Sequence, residues 1–402
     1  MKQAEYQISL FDGDHKLTID KPIRLIELFA GYGSQALALK YLGANFEHWK
    51  ICEWAVKSIQ AYKDLHFGDD NTDYSAAKTQ DEVIDYLYNK GISANYNEPM
   101  TIDQIKRLGE EKQRVIYNNL IATHNLVSVC NCHASDLEIS DTDKYTYIMT
   151  YSFPCQDLSL AGKGLGMEKG SGTRSGLLWE VERILDECNG NLPQILLMEN
   201  VPEVIGTNNS EHFSQWVAKL DSLGYKSKWE ILNAKDYGVP QNRARCFMVS
   251  WLGNYYYDFP TPIKLENRLK DVLETNVDEK YYLSDAMKKY IVSKDDKYRV
   301  SNGNLIVNRD IACSKTTREG CARADTSDYI SPDLMPNENI ANKNTLNYRI
   351  RKLTPKECGR LMGVRDKDID TMAVNQSNSS QYHLYGDSIV VDVLMAIFGQ
   401  ML

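Results

Sequence analysis

Tyr151-Ser152-Phe153-Pro154-Cys155-Gln156-Asp157-Leu158-Ser159 is the stretch from which the fold can be read. The run 145–153, rich in Tyr, Ile and Met, predicts a buried strand that ends at a Pro-Cys pair, with a glycine-dense segment at 162–176 after it. A parallel strand that stops at such a loop marks the edge of a ligand crevice in an open α/β sheet. Pro154 drives Phe153 toward extended geometry and fixes its own φ, so the Cys155 thiol is expected to stand stiffly at that edge. A lone cysteine near a strand end is by itself ordinary core filler. The rest of the chain changes that reading.

Upstream, residues 22–29 (PIRLIELF) predict a short strand, followed by Ala30-Gly31-Tyr32-Gly33 and a helical run at 34–42 closed by Gly43. Strand, Gly-x-Gly turn and helix open a nucleotide-binding βαβ unit, although the third glycine of the full fingerprint is missing. A second strand at 45–52 ends at Glu53-Trp54, about 20 residues after the glycines, where a carboxylate can accept from both ribose hydroxyls of an adenosine. Trp54 offers a ring to adenine, or equally a surface for helix packing. Residues 64–125 read as an acidic helical pair inserted outside the sheet (81–89 and 102–121), with Thr101 as an N-cap. Strand rhythm resumes at 126–132, placing Asp136-Leu137 near the adenine amino group.

Downstream, residues 161–176 hold six glycines and no core pattern, which predicts a lid. An amphipathic helix at 177–187 and a buried strand at 194–198 lead to Glu199-Asn200-Val201-Pro202. An apolar run ending in a carboxylate demands a reason for burying it, and the crevice of Cys155 supplies one. Segments 225–232 and 246–251 complete the sheet as an antiparallel pair. Between them, Gln241-Asn242-Arg243-Ala244-Arg245 puts both guanidinium groups on one face. From 252 onward short strands without helical period predict a second, irregular, β-rich domain. Thr354-Pro355-Lys356-Glu357 is a capping box, and the apolar segment 389–401 should dock as a helix on the sheet. The domains expected are 1–251, 252–375, and a C-terminal return at 376–402.

With 402 residues and 43% hydrophobic composition, the chain can bury the cores of two domains. No apolar run nears the roughly 18 residues of a membrane span, and the first 20 residues are too polar for a signal peptide, so no membrane association and a cytoplasmic location are expected. Nine scattered cysteines fit reduced thiols. Cys130, Cys132 and His133 cluster without a second ligand pair, so no metal is expected. The net charge of -9 argues against a nucleic-acid partner, but its distribution argues for one. Residues 64–120 carry 11 acidic and 6 basic side chains, whereas 343–365 carry 7 basic and 1 acidic.

Taken in order, Phe29-Ala30-Gly31-Tyr32-Gly33, Phe153-Pro154-Cys155-Gln156, Glu199-Asn200-Val201, Gln241-Asn242-Arg243-Ala244-Arg245 and Gly386-Asp387-Ser388 resemble the DNA cytosine-5 methyltransferase family over nearly the whole chain. The tract from Ser152 to Val201 looks most like the bacterial and mycoplasma enzymes that methylate CpG. The resemblance implies a Rossmann-like mixed seven-stranded sheet that binds S-adenosylmethionine and is closed by the last helix, with a target-recognition domain after the arginine motif. It implies methyl transfer to C5 of a flipped-out cytosine in duplex DNA by a monomer, and leaves open whether a cognate restriction endonuclease accompanies it. A tRNA-modifying member of the family is the nearest alternative.

The residues suit that chemistry. A Cys155 thiolate adding to C6 would turn C5 into an enamine carbon. Glu199 would share a proton with N3, Arg245 would bind the O2 carbonyl, and Arg243 would brace the loop. Cofactor contacts fall to Phe29, Gly31, Gly33, Glu53, Trp54, Asp136, Leu137, Asp387 and Ser388. Ser159, Lys163 and Arg174 are candidate DNA contacts, and Arg318 and Arg323 candidate base readers. Asp387 stands where the family commonly has Asn, and is expected to double as N-cap of the last helix. A nucleotide-dependent oxidoreductase would leave Cys155, Glu199 and the arginines idle, and the absence of a Pro-Pro-aromatic tetrapeptide disfavours transfer to an amino nitrogen.

Overall fold

The computed structural model describes residues 15–154, 167–170, 174–292, 305–321 and 327–402. They divide into two units. The first comprises 1–232, 244–260 and 394–402, and the second 233–243 and 261–393.

The first unit is α/β. Its strands are β1 (Ile23–Leu28), β2 (Phe46–Cys52), β3 (Thr146–Tyr151), β4 (Ile195–Asn200), β5 (Tyr225–Asn233) and β6 (Ala244–Leu252). They form one mixed sheet in the order β2-β1-β3-β4-β6-β5. β1 to β4 run parallel, and β6 is antiparallel to β4. β1, β3 and β4 are buried almost end to end, as parallel strands covered on both faces must be. The helix α1 (Ser34–Leu42) follows β1 through the glycine turn and ends at Gly43 with φ 69°. That left-handed C-cap is what the glycine is for.

Two expectations are corrected here. The sheet has six strands among the described residues, because 126–132 does not pair as a strand. The Asn125 side chain takes the place of a ladder: its Oδ1 accepts from the Glu53 and Val127 amides at 3.1 and 2.8 Å, and its Nδ2 donates to the Glu53 carbonyl at 2.9 Å. Val127 then turns left-handed at φ 72°, a conformation a β-branched residue adopts only when held there. The insertion is three helices, not a pair. After α2 (Val56–His66) come α3 (Gln80–Lys90), α4 (Ile102–Arg107) and α5 (Glu110–Ala122). The chain breaks at Leu108-Gly109, where Gly109 has φ 82°. Thr79 and Thr101 both form capping boxes. Val83, Leu87, Ile105, Ile116 and Leu120 give the insertion its own apolar cluster, joined by Ile59 of α2.

Helices α6 (Ala134–Leu137), α7 (Leu178–Glu187) and α8 (Ser210–Ser222) complete the unit around a core of Ile26, Tyr151, Val181, Met198 and Trp216. At its far end, the Met401 carbonyl accepts from the Ile19 amide at 2.7 Å. The second unit is irregular. Its largest sheet joins four two-residue strands, Glu338–Asn339, Ile306–Val307, Tyr329–Ile330 and Arg351–Lys352. The capping box opens a helix at Pro355–Leu361, and Glu357 is held from both sides by Arg351 at 2.8 Å. No helix among the described residues is long and apolar enough to cross a membrane.

Candidate active site

Backbone shape defines the first half of the site. Phe29, Gly31 and Gly33 all have positive φ, at 59°, 57° and 82°. Phe29 pays a steric cost there that its surroundings must hold, a mark of functional turns. Glu53, at the end of β2, closes on this turn. Its Oε2 accepts from the Gly31 amide at 2.8 Å and its Oε1 from the Ala55 amide at 2.7 Å. The carboxylate is thus fixed in a site only 8% exposed.

Trp54 is half-buried and packs on the insertion's apolar cluster. Asp136 lies in the four-residue α6, its Oδ2 accepting from the His133 amide at 2.9 Å. Leu137 is buried, and its carbonyl accepts from Trp49 Nε1 at 2.7 Å. The Cys52 thiol is pushed well above its ordinary range by its hydrogen bond to Cys132, then by burial, with the Glu53 and Asp136 carboxylates adding to the effect. Two acids 83 positions apart in sequence therefore act on one thiol at the end of β2.

The second half stands where β3 and β4 end side by side, with Tyr151 opposite Met198. Cys155, Ser159, Lys163 and Arg323 lie outside the described residues, as does most of the lid expected at 161–176. The residues leading to Cys155 are described and tightly held. Asn200 Nδ2 donates to the Phe153 carbonyl at 3.0 Å, and Ser175 Oγ to the Pro154 carbonyl at 2.7 Å. Glu199, 6% exposed, accepts a short hydrogen bond from Ser152 Oγ on Oε2. Its Oε1 lies 3.2 Å from Arg245 Nε. A carboxylate buried this far needs such partners. Ser152, Asn125 and Asn200 were missed from sequence. Only the parallel register of β3 with β4 could have pointed to Ser152 and Asn200.

Arg243 and Arg245 do not share partners. Arg243, 5% exposed, donates to the carbonyls of Lys315 at 2.6 Å, Ser388 at 2.5 Å and Gly386 at 3.2 Å. That is the bonding of a brace. Gly386 belongs in this knot for want of space, since a Cβ there would lie 2.1 Å from the Thr316 carbonyl carbon. Asp387 caps the C-terminus of the helix Asn378–Gly386, its amide bonded to the His383 carbonyl at 3.0 Å. It is not the N-cap of the last helix, Val391–Phe398, which starts four residues later. Arg318 is exposed on a turn whose base is a buried trio: Lys315 Nζ lies 2.8 Å from Glu319 and 2.6 Å from Asp328. Arg174 hydrogen-bonds Asn97 of the insertion.

The sequence profile of the C-5 cytosine-specific DNA methylases matches residues 115–402. The type II methyltransferase M2.ScrFI of Lactococcus lactis subsp. cremoris is 34% identical over 390 residues, covering 94% of this chain and 99% of that protein. The orphan methyltransferase M.SssI of Spiroplasma monobiae is 35% identical over 392 residues, covering 94% and 96%. Among solved structures, the S. pombe Dnmt2 methyltransferase superposes with a TM-score of 0.62 at 16% identity, covering 94% of this chain and 97% of that one, a likeness of fold.

Proposed function

Because this chain belongs to the family of C-5 cytosine-specific DNA methylases, we propose that it methylates a cytosine flipped out of duplex DNA, with Cys155 as nucleophile and Glu199 and Arg245 holding the ring. DNA cytosine-5 methylation is the activity of the family to which it belongs. The observation that carries the residue assignment is the Ser152–Glu199–Arg245 cluster beside the anchored Phe153 and Pro154 carbonyls.

Cytosine C5 is too poor a nucleophile to be methylated unaided. In this proposal the Cys155 thiolate forms a bond to C6 and the ring's electrons move toward N3 and C5. Glu199 holds a proton at N3, and Arg245 bonds the O2 carbonyl while keeping Glu199 aimed. Ser152 fixes the other carboxylate oxygen. When bound, S-adenosylmethionine supplies the electrophilic methyl group that C5 takes. A base then removes the C5 proton, the bond from sulfur to C6 breaks with its electron pair returning to the Cys155 thiolate, and the N3 proton returns to Glu199.

The residues at the end of β2 fit that cofactor. Glu53 and Asp136 supply acceptors for ribose hydroxyls and an adenine amino group, and the left-handed turn at Phe29 to Gly33 leaves backbone open to a ligand. Gly31, Leu137, Asp387 and Ser388 are proposed with them. Methyl transfer is assigned to the first unit and reading of DNA to the second, where Arg318 is the described candidate. Flipping the base costs a few kcal/mol, repaid by contacts in the pocket.

Incubation with labelled S-adenosylmethionine and either duplex DNA or tRNA tests the proposal. Label in DNA, mapped to cytosine by bisulfite sequencing, is the expected result; label in tRNA alone would overturn it.

A further inference from the structure

Beneath the glycine turn lies a cluster of titratable groups that methyl transfer does not use. Glu27, the last residue but one of β1, is fully buried. Its Oε2 accepts from the Tyr62 hydroxyl at 2.5 Å and its Oε1 from the Ala36 amide, in the first turn of α1, at 3.3 Å. The Tyr62 oxygen also meets His48 Nδ1 at 2.9 Å. His66, one helical turn after Tyr62 on α2, places Nε2 3.0 Å from the Tyr32 carbonyl oxygen. A carbonyl can only accept, so that nitrogen carries a proton. The turn rests directly on these rings: a Cβ on Gly33 would lie 2.4 Å from His66 Nε2 and 2.7 Å from Tyr62 Cε2.

We propose that Tyr62 and His66 are positioning residues for S-adenosylmethionine, holding the turn from Phe29 to Gly33 in its binding shape through Glu27 and the Tyr32 carbonyl. The inference rests on the reading of that turn as the cofactor site. Tyr62 grips the strand before the turn and, through Glu27, the helix after it. His66 grips the turn itself. Both come from one helix, so α2 fixes the turn at three points.

Burial pushes the Glu27 carboxyl up to about 7, against the opposing hydrogen bonds of Tyr62 and Ala36. His48 is lowered to about 4 by burial, with Lys40 and His124 nearby adding to that effect. His66 is lowered well below its usual range by burial, then by His48, with Lys40 acting the same way. The histidines are therefore neutral at pH 7, and Glu27 is the group in the cluster that titrates there. Its proton reverses the chain. Ionised Glu27 takes the Tyr62 hydrogen while His48 Nδ1–H donates to Tyr62; protonated Glu27 donates to Tyr62, which donates to His48.

The test is equilibrium binding of S-adenosylmethionine to the DNA-free full chain between pH 6 and 8, with Tyr62→Phe, His66→Ala and His66→Gln. Tyr62→Phe and His66→Ala are each expected to weaken binding about tenfold, the loss of one hydrogen bond in a buried site. His66→Gln keeps an N–H donor and is expected to recover most of the loss. With saturating DNA the change should appear in KM for the cofactor rather than in kcat, and Tyr62→Phe should shift the step near neutral pH in the binding profile. Should His66→Ala fail to fold, the binding constant of Tyr62→Phe decides. Wild-type affinity and pH profile in Tyr62→Phe would overturn the inference alone, and failure of the wild-type chain to bind the cofactor would overturn the site reading with it.

Discussion

Arg245 Nε lies 3.2 Å from Glu199 Oε1, and the other oxygen of that carboxylate takes the hydrogen of Ser152. An acid held between a cation and a hydroxyl has a fixed direction, which is what sharing a proton with a ring nitrogen requires.

Glu199→Gln keeps the shape of the side chain and removes its charge. The expected result is a fall in kcat of about a hundredfold or more, the usual size of a lost acid–base contribution. Steady-state methyl transfer to duplex DNA measures it, with cofactor binding retained as the control for folding.

Ser152→Ala leaves Glu199 Oε2 without its hydroxyl partner. Loss of one hydrogen bond to a charged group costs about 1.5–3 kcal/mol, so kcat should fall by about tenfold to a hundredfold. Steady-state methyl transfer to duplex DNA measures it, with cofactor binding unchanged as the control that the site has kept its fold.

Two glycines of the site, Gly386 at the end of a helix and Gly31 in a left-handed turn, should differ sharply in what they tolerate. Gly386→Ala drives a Cβ to 2.1 Å from backbone and should destabilise the chain by about 3 kcal/mol or more. At Gly31, nothing lies within 4 Å of an added Cβ, so only the φ of 57° is penalised, at about 1–2 kcal/mol. Denaturant unfolding compares the two.

Stability should carry the signature of Glu27. Its pKa rises from 4.5 to about 7 on folding, so the folded state holds a proton the unfolded chain has lost, and stability falls as pH rises through that window. His48, lowered from 6.5 to about 4, and His66, lowered well below its usual range, act oppositely: their contributions rise with pH up to about 6.5 and mask the Glu27 effect. Subtracting Glu27→Gln from wild type exposes it. At about 1.4 kcal/mol per pH unit, the difference should fall by about 3 kcal/mol between pH 4.5 and 7. A flat difference would contradict the assignment.

Much of this arrangement was legible in the sequence because apolar runs demand strands and glycines mark turns. PIRLIELF, the glycine turn, Glu53 at the end of β2 and Glu199 at the end of β4 all stand where periodicity put them. What escaped is what depends on partners far away in sequence. Leu126 to Cys132 looks like a strand, but after the Leu126 amide bonds the Ile51 carbonyl the Asn125 side chain takes the Val127 amide. The helix expected at 102–121 breaks at one glycine. The arginines of the QNRAR motif alternate as expected, yet Arg243 is spent on the Gly386 and Ser388 carbonyls, and only the fold reveals those acceptors. Asp387 reads as an N-cap by its type, but the preceding helix runs long enough to claim it.

Duplex DNA carrying 5-fluorocytosine at the methylated site tests the central claim most directly, since fluorine cannot leave as the C5 proton does. With S-adenosylmethionine present, a covalent protein–DNA adduct is expected, mapped by mass spectrometry to the peptide containing Cys155 and absent from Cys155→Ala. An adduct at another residue, or turnover retained by Cys155→Ala, would contradict the account.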